Sequence, residues 1–381
     1  MKKGQGSSLL DRIIPGILVA ATGVGAGDLV TASLAGSEIG LVLLWAALIG
    51  ALLKWALNEG LARWQMATGT TLLQGWVQKL GGWIQWVFMI YFFIWSYSVG
   101  GALINACGVA GAGLFPVADP HTSKIFWGIV HSLAGLLLVW FGGFRVFQYA
   151  MSFFIVVMVI AVPLTVAMVA PDFSQVLKGL FIPRIPQEGI GWLLGVMGGV
   201  GGTVTLMSYS YWIREKGRAG ETGARACRLD LGVGYSLTAL FGVSMIIIGS
   251  RITVTGKGAT VAILLADQLG AAFGPVGKLF FLLGFWGAVF SSLLGVWQGV
   301  PYIFSDFLHL RRSGGKTMGS HVDITRTRSY RIYLAALALI PIQLLWFNVQ
   351  QVQLVYAVLG ALFMPLLALT LLLLNNRKDW G

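Results

Sequence analysis

Gly23-Val24-Gly25-Ala26-Gly27-Asp28-Leu29-Val30-Thr31 interrupts the first apolar run of the chain, and Gly199-Val200-Gly201-Gly202-Thr203-Val204-Thr205 interrupts another half a chain later. Glycines are poor helix formers, at about 1 kcal/mol each against alanine. At membrane depth, irregular backbone survives only where it lines a cavity or is buried in protein. A pair of interruptions at matching positions therefore points to two broken helices around a central binding site. For one such tract alone, close helix packing through small residues is the competing explanation. Gly40, Gly100, Gly101, Gly142 and Gly143 are assigned to packing.

The rest of the chain supports a membrane setting for both tracts. Its 381 residues are 57% hydrophobic and only 10% charged, with a mean hydropathy of +0.80. Soluble domains carry about 25% charged residues. The composition excludes a soluble globular enzyme, a disordered chain and a disulfide scaffold, and two cysteines offer neither a disulfide framework nor a metal cluster. The net charge of +12 sits between apolar runs, so it reports orientation, and no nucleic-acid partner is expected. Ten runs are long enough to span a bilayer as helices: 13–34, 39–66, 83–106, 124–142, 149–170, 190–213, 228–250, 276–304, 329–347 and 350–374. The first is read as a span, not a cleaved leader.

With the N terminus in the cytoplasm, 20 of the 26 Lys and Arg fall on the inner side or inner helix ends and 6 on the outer side. That bias places both termini in the cytoplasm, and the plasma (inner) membrane is the expected location. Five spans plus five, an odd number per half, reverse the second half relative to the first, which marks an inverted repeat. The expected organisation is one membrane domain over 1–381, with repeats at 13–170 and 190–374.

Asp28 is the main chemical signal. A carboxylate inside a span is costly and usually functional. The sequence places no Lys or Arg near it in span one or beside the span-six break. It is therefore a candidate cation ligand; the other reading is a protonated or helix-capping aspartate. Thr203 and Thr205 offer hard hydroxyl oxygens after the second break, against the competing role of bonding a carbonyl one turn back. Met207 is read as packing, with soft-metal binding as the alternative. Glu59 and Arg63 fit a simple i,i+4 pair. Of the four histidines only His131 lies inside a span, with no metal partner in view. Neither a nucleotide loop nor a hydrolase or metalloprotease motif is present, so neither an enzyme nor a resident cofactor is expected.

The run from Pro15 to Trp45, with Ala35-Gly36 and Leu43-Leu44-Trp45, resembles the start of the Nramp (natural resistance-associated macrophage protein) divalent-metal transporters. Thr68-Gly69, Ser291-Ser292 through Gly295, Trp297, Gln298 and Gly299, and Phe363-Met364-Pro365-Leu366 are similar to later family segments. The resemblance implies an all-α integral membrane fold of the leucine-transporter type, with ten transmembrane helices and helices 1 and 6 broken. It implies a transported divalent cation, held by Asp28, Thr205 and Thr203, by the carbonyls of Gly25 and Gly202, and by Gln353. Departures are equally informative. The family's Asp-Pro-Gly-Asn is Gly25-Ala26-Gly27-Asp28 here, its soft Met ligand is Thr205, and its span-six His is Met207. Residues 83–106 contain no Asp, Glu, His, Lys or Arg. A hard, partly hydrated Mg²⁺- or Mn²⁺-like ion, without obligatory proton coupling, is the reading that follows. The alternatives are a carrier of a small organic solute, such as an amino acid or amine, and a non-transporting receptor. The only partners expected are the ion and the lipid bilayer, and the chain is read as a monomer.

Overall fold

A computed structural model describes residues 9–199, 201–251, 260–314 and 323–376. Among them all regular structure is helical, and no strand occurs. The first apolar run is two helices, α1 (Leu9–Gly23) and α2 (Ala26–Ile39), followed by a 3₁₀ turn and α3 (Leu44–Thr68). Helix α3 stops at Gly69, whose φ of 70° is the left-handed cap that glycine adopts without strain. A capping box between Thr71 and Gln74 starts the single turn α4 (Leu72–Gly75). Helix α5 (Gly82–Leu114) is longer than the expected third span at both ends.

The fourth and fifth spans, expected as two segments with a loop between them, form one continuous helical path, α6 (Pro120–Val169). Gly143, expected to serve packing, instead turns the chain sharply without a loop: its φ is 64° and ψ 176°, and nothing lies within 4 Å of where its Cβ would be. Asp119 caps α6 ahead of Pro120, whose fixed φ suits the first helical position. A short helix α7 (Phe173–Phe181) lies where the sequence suggested only a loop.

The second half begins with α8 (Ile190–Gly199), a break, a 3₁₀ turn over Val204–Met207, and α9 (Ser208–Glu215). Then come α10 (Gly220–Gly249) and the long α11 (Thr260–Arg312), bent at Gly274 (φ 73°) just before Pro275. The expected ninth span is α12 (Arg328–Leu339), which continues as a 3₁₀ helix carrying Pro341; α13 (Val349–Asn376) closes the chain.

Among the described residues, eight helices are long and apolar enough to cross a membrane. Their outward faces agree: Ile90, Phe141, Phe153, Ile160, Leu362 and Leu372 are exposed large hydrophobics, as a lipid-facing surface requires. The broken first span packs against α10 through glycine. A Cβ on Gly16 would collide with the carbonyl of Asp230, one on Gly234 with that of Gly16, one on Gly36 with that of Ile246, and one on Gly249 with that of Ser33. Bare glycines let the backbones approach, so this seam is held by dispersion over backbone atoms. His131 is held between two tryptophans. Its Nδ1 lies 2.7 Å from the Trp127 carbonyl, which assigns the proton there, and its Nε2 accepts from Trp286 Nε1 at 2.8 Å.

Candidate functional site

The two glycine tracts meet backbone to backbone. A Cβ added to Gly23, the last residue of α1, would lie 2.8 Å from the carbonyl carbon of Gly201. One added to Gly202 would lie 3.2 Å from Gly23 Cα. Gly201 and Gly202 have φ of 91° and 79°, a conformation L side chains rarely adopt, so the second break is written into the sequence by these two glycines. The first break is only two residues long: Val24 N–H still reaches the Ala20 carbonyl at 2.8 Å, and Leu29 N–H reaches that of Gly25 at 3.1 Å.

Breaking a helix frees carbonyls that need partners. At the first break two serines of α11 supply them. Ser291 Oγ donates to the Ala21 carbonyl at 3.0 Å and Ser292 Oγ to that of Thr22 at 2.8 Å. Gly25 faces this pair, since a Cβ there would lie 2.9 Å from Ser292 Oγ. At the second break the partner is a lysine. Lys54, in the middle of α3, is 2% exposed. Its Nζ donates to the carbonyl of Gly198 at 2.7 Å and approaches that of Gly199 at 3.4 Å.

The expected ligand residues divide unevenly. Thr205 turns toward Gly202, its Oγ1 2.5 Å from the point a Cβ on Gly202 would occupy. Thr203 Oγ1 accepts from Trp95 Nε1 of α5 at 3.2 Å, and its side chain fills the space beside Gly360. Gln353 of α13 donates through Nε2 to the Ala102 carbonyl at 2.9 Å, while its Oε1 is buried without a partner among the described residues. The side chain of Asp28 lies outside the described residues; its backbone belongs to the first turn of α2. Among the described residues no group of three or more His, Cys, Asp and Glu side chains is arranged to hold a metal.

Sequence reasoning missed four further features. The tally of 20 inner charges includes Lys54, yet this lysine reaches the break of another span; its central place in the run 39–66 is the signal for that. Glu59 does more than pair with Arg63 at 2.6 Å, because its other oxygen accepts from Arg228 Nε of α10 at 3.1 Å. At the same end of the bundle, Asp230 pairs with Arg218 and accepts from Tyr209 OH at 2.6 Å. Fully buried Asp306 accepts from Thr71 Oγ1 at 2.9 Å, Gln74 Nε2 at 3.0 Å and Tyr211 OH at 3.0 Å. These acids tie α4, α9, α10 and α11 together, away from the breaks.

Comparison with known proteins agrees with this fold. Over its whole length the chain superimposes on 83% of the manganese transporter of Eremococcus coleocola, in a crystal structure of a point mutant, with a TM-score of 0.74 at 18% identity. It also matches MhsT, crystallised with L-phenylalanine, over 98% of this chain and 90% of that one (TM-score 0.60, 16% identity). An uncharacterised protein of Pasteurella multocida (strain Pm70) is 22% identical over 243 residues, 62% of this chain. The chain covers 55% of that relative's length, about half. The profile of natural resistance-associated macrophage protein-like sequences matches residues 16–380. With its all-helical fold and abutting broken helices, the chain belongs to the Nramp family.

Proposed function

We propose that this chain is a transporter, not an enzyme, that carries a hard divalent cation, Mg²⁺ or Mn²⁺, through a site between its two broken helices. The observation that carries the proposal is the abutment of the breaks, Gly23 against Gly201 and Gly202. Irregular backbone from both halves of the chain converges there, as a central binding site requires. In this reading Asp28 supplies the negative charge, Thr205 and Thr203 hydroxyl oxygens, and Gly25 and Gly202 carbonyls. The Oε1 of Gln353, without a partner among the described residues, is a further buried acceptor, whose desolvation a passing cation would offset. These are all oxygen donors and few in number, which suits an ion that keeps part of its water shell. The proposal includes ten spans as inverted repeats over 13–170 and 190–374, both termini in the cytoplasm, and a monomer in the plasma membrane. Coupling to protons is not obligatory in it, because residues 83–106 hold no Asp, Glu, His, Lys or Arg and Met207 replaces a histidine.

One observation favours a second reading. The buried Lys54 already places a basic group at the end of α8, which suits an organic solute bearing a carboxylate better than a free divalent ion.

Uptake into proteoliposomes separates the two. The expected result is Mg²⁺ and Mn²⁺ uptake that falls sharply in a folded Asp28→Asn protein, with no competition from amino acids. Thr205→Met is expected to shift preference from Mg²⁺ toward Cd²⁺, because a thioether rewards soft ions. Unchanged uptake in Asp28→Asn would remove the carboxylate from the site, and competition by amino acids would favour the organic cargo.

A further inference from the structure

We propose that the Lys54 ammonium is a tethered cation: it fills, as part of the chain, a position at the frayed end of α8 that would otherwise bind a small monovalent cation. This goes beyond the cargo reading and does not depend on it.

The argument starts from the two breaks. Both leave helix carbonyls without intrahelical partners. At the first break, neutral hydroxyls of Ser291 and Ser292 satisfy them at 3.0 and 2.8 Å. Hydroxyl groups are therefore sufficient where only hydrogen bonds are needed. At the second break the same task falls to an ammonium in a residue 2% exposed. Burying a charge in a membrane interior is far costlier than burying a hydroxyl. What the lysine supplies over a serine is positive charge, placed against the negative pole of a helix, where about half an elementary charge accumulates.

The surroundings are built for it. Gly50, one turn before Lys54, brings α3 against α8, a Cβ there falling 3.0 Å from Met197 Cα. That approach lets the four-carbon stem reach the carbonyl of the next residue, Gly198. The stem then crosses Gly201, whose Cβ, if present, would lie 3.4 Å from Lys54 Cδ. The two carbonyls facing this ammonium are oxygen donors of the kind that also coordinate alkali cations in carbonyl-lined sites. The carbonyls of Gly198 and Gly199 are thereby committed, which confines a passing ion to the Gly202–Thr205 side of the break.

Truncation should turn the tethered cation into a free one. Lys54→Ala removes the equivalent of n-propylammonium. The experiment measures thermal stability of the purified full chain in detergent, in divalent-free buffer, with n-propylammonium, ammonium or potassium chloride, and choline chloride as the control at equal ionic strength. The expected result is a Tm lowered by several degrees in Lys54→Ala and recovered by at least half, saturably, with n-propylammonium but not with choline. Wild type and Lys54→Met, which keeps a stem in place, should show no such response. Lys54→Gln keeps the stem and an N–H donor without the charge and should lose stability as well. Recovery by choline as large as by n-propylammonium, no recovery at all, or wild-type stability in Lys54→Gln would each overturn the proposal. Because the readout contains no divalent ion and no transport step, its failure leaves the cargo reading standing, and the reverse also holds.

Discussion

Tyr211 and Tyr302 stack at 5.4 Å with an interplanar angle of 21°, and each donates one hydrogen bond to a carboxylate. The Tyr211 hydroxyl donates to Asp306, which is fully buried, at 3.0 Å. The Tyr302 hydroxyl donates to Glu215, which is exposed, at 2.7 Å. Substituting either by phenylalanine removes one oxygen, leaves the stack, and opens no sizeable cavity. The two variants thus differ only in the acceptor left behind. Neutral interhelical bonds in membranes average about 0.6 kcal/mol. Leaving a buried acceptor without its donor raises that to roughly 1–3 kcal/mol, since water cannot replace the donor. An exposed carboxylate recruits water, so its loss stays below about 1 kcal/mol. Tyr211→Phe should therefore be the more destabilising by about 1–2 kcal/mol, although its bond is the longer one. Reversible unfolding by SDS in mixed micelles measures both on one scale. Equal losses, or a larger loss in Tyr302→Phe, would show that the Asp306 cluster is not water-excluded and would refute this reasoning.

Neighbouring glycines at the second break should respond in opposite directions. Gly202→Ala meets a φ of 79° and a Cβ position 2.5 Å from Thr205 Oγ1, so it should cost at least about 1–2 kcal/mol, whereas Gly198→Ala, with nothing within 4 Å of its Cβ, should be neutral or slightly stabilising in the same SDS titration. At the start of α6, the Asp119 carboxyl is held below its ordinary 3.8 by the Thr122 hydroxyl first, then by the Thr122 and His121 backbone N–H groups. A carboxylate held low contributes stability above the ordinary value and loses it as pH falls through the lowered one. Amide exchange at His121 and Thr122, corrected for intrinsic rates, should rise only below about pH 4, and Asp119→Asn should flatten that dependence.

The breaks were legible because their cause is local. Gly201 and Gly202 sit at positive φ where only glycine is comfortable, and that composition is visible in seven consecutive residues. The long apolar helices were legible for the same reason. Between the fourth and fifth spans the structure has a turn where a loop was expected, because a polar stretch and a single turning glycine, Gly143, look alike in a hydropathy profile; only the dihedral tells them apart. The buried polar partners were not legible. Thr71 finds Asp306 across most of the chain, and Lys54 finds Gly198 in the opposite half. No periodicity encodes such pairings. A charge tally assigns Lys54 to the nearest helix end, whereas its long stem and the thin flank at Gly50 carry it the other way. Of the ligand residues read from resemblance, Thr205 keeps company with Gly202, while Thr203 and Gln353 each already serve a neighbour, Trp95 and Ala102.

The glycine seam between the first broken helix and α10 has a consequence for biogenesis. Gly16 and Gly36 pack on Asp230 and Ile246, residues translated only after the whole first half of the chain has emerged. Segments insert in the order in which they are made. The first helix therefore waits in the bilayer with a bare backbone groove and an ionisable residue, Asp28, until its mate arrives. During that interval lipid tails or an insertion factor must line the groove, and a bulkier side chain at Gly16 would block docking at that moment. Such a substitution should lower the yield of assembled protein in cells, through quality control of a stalled half, more than it shortens the lifetime of those molecules that do assemble.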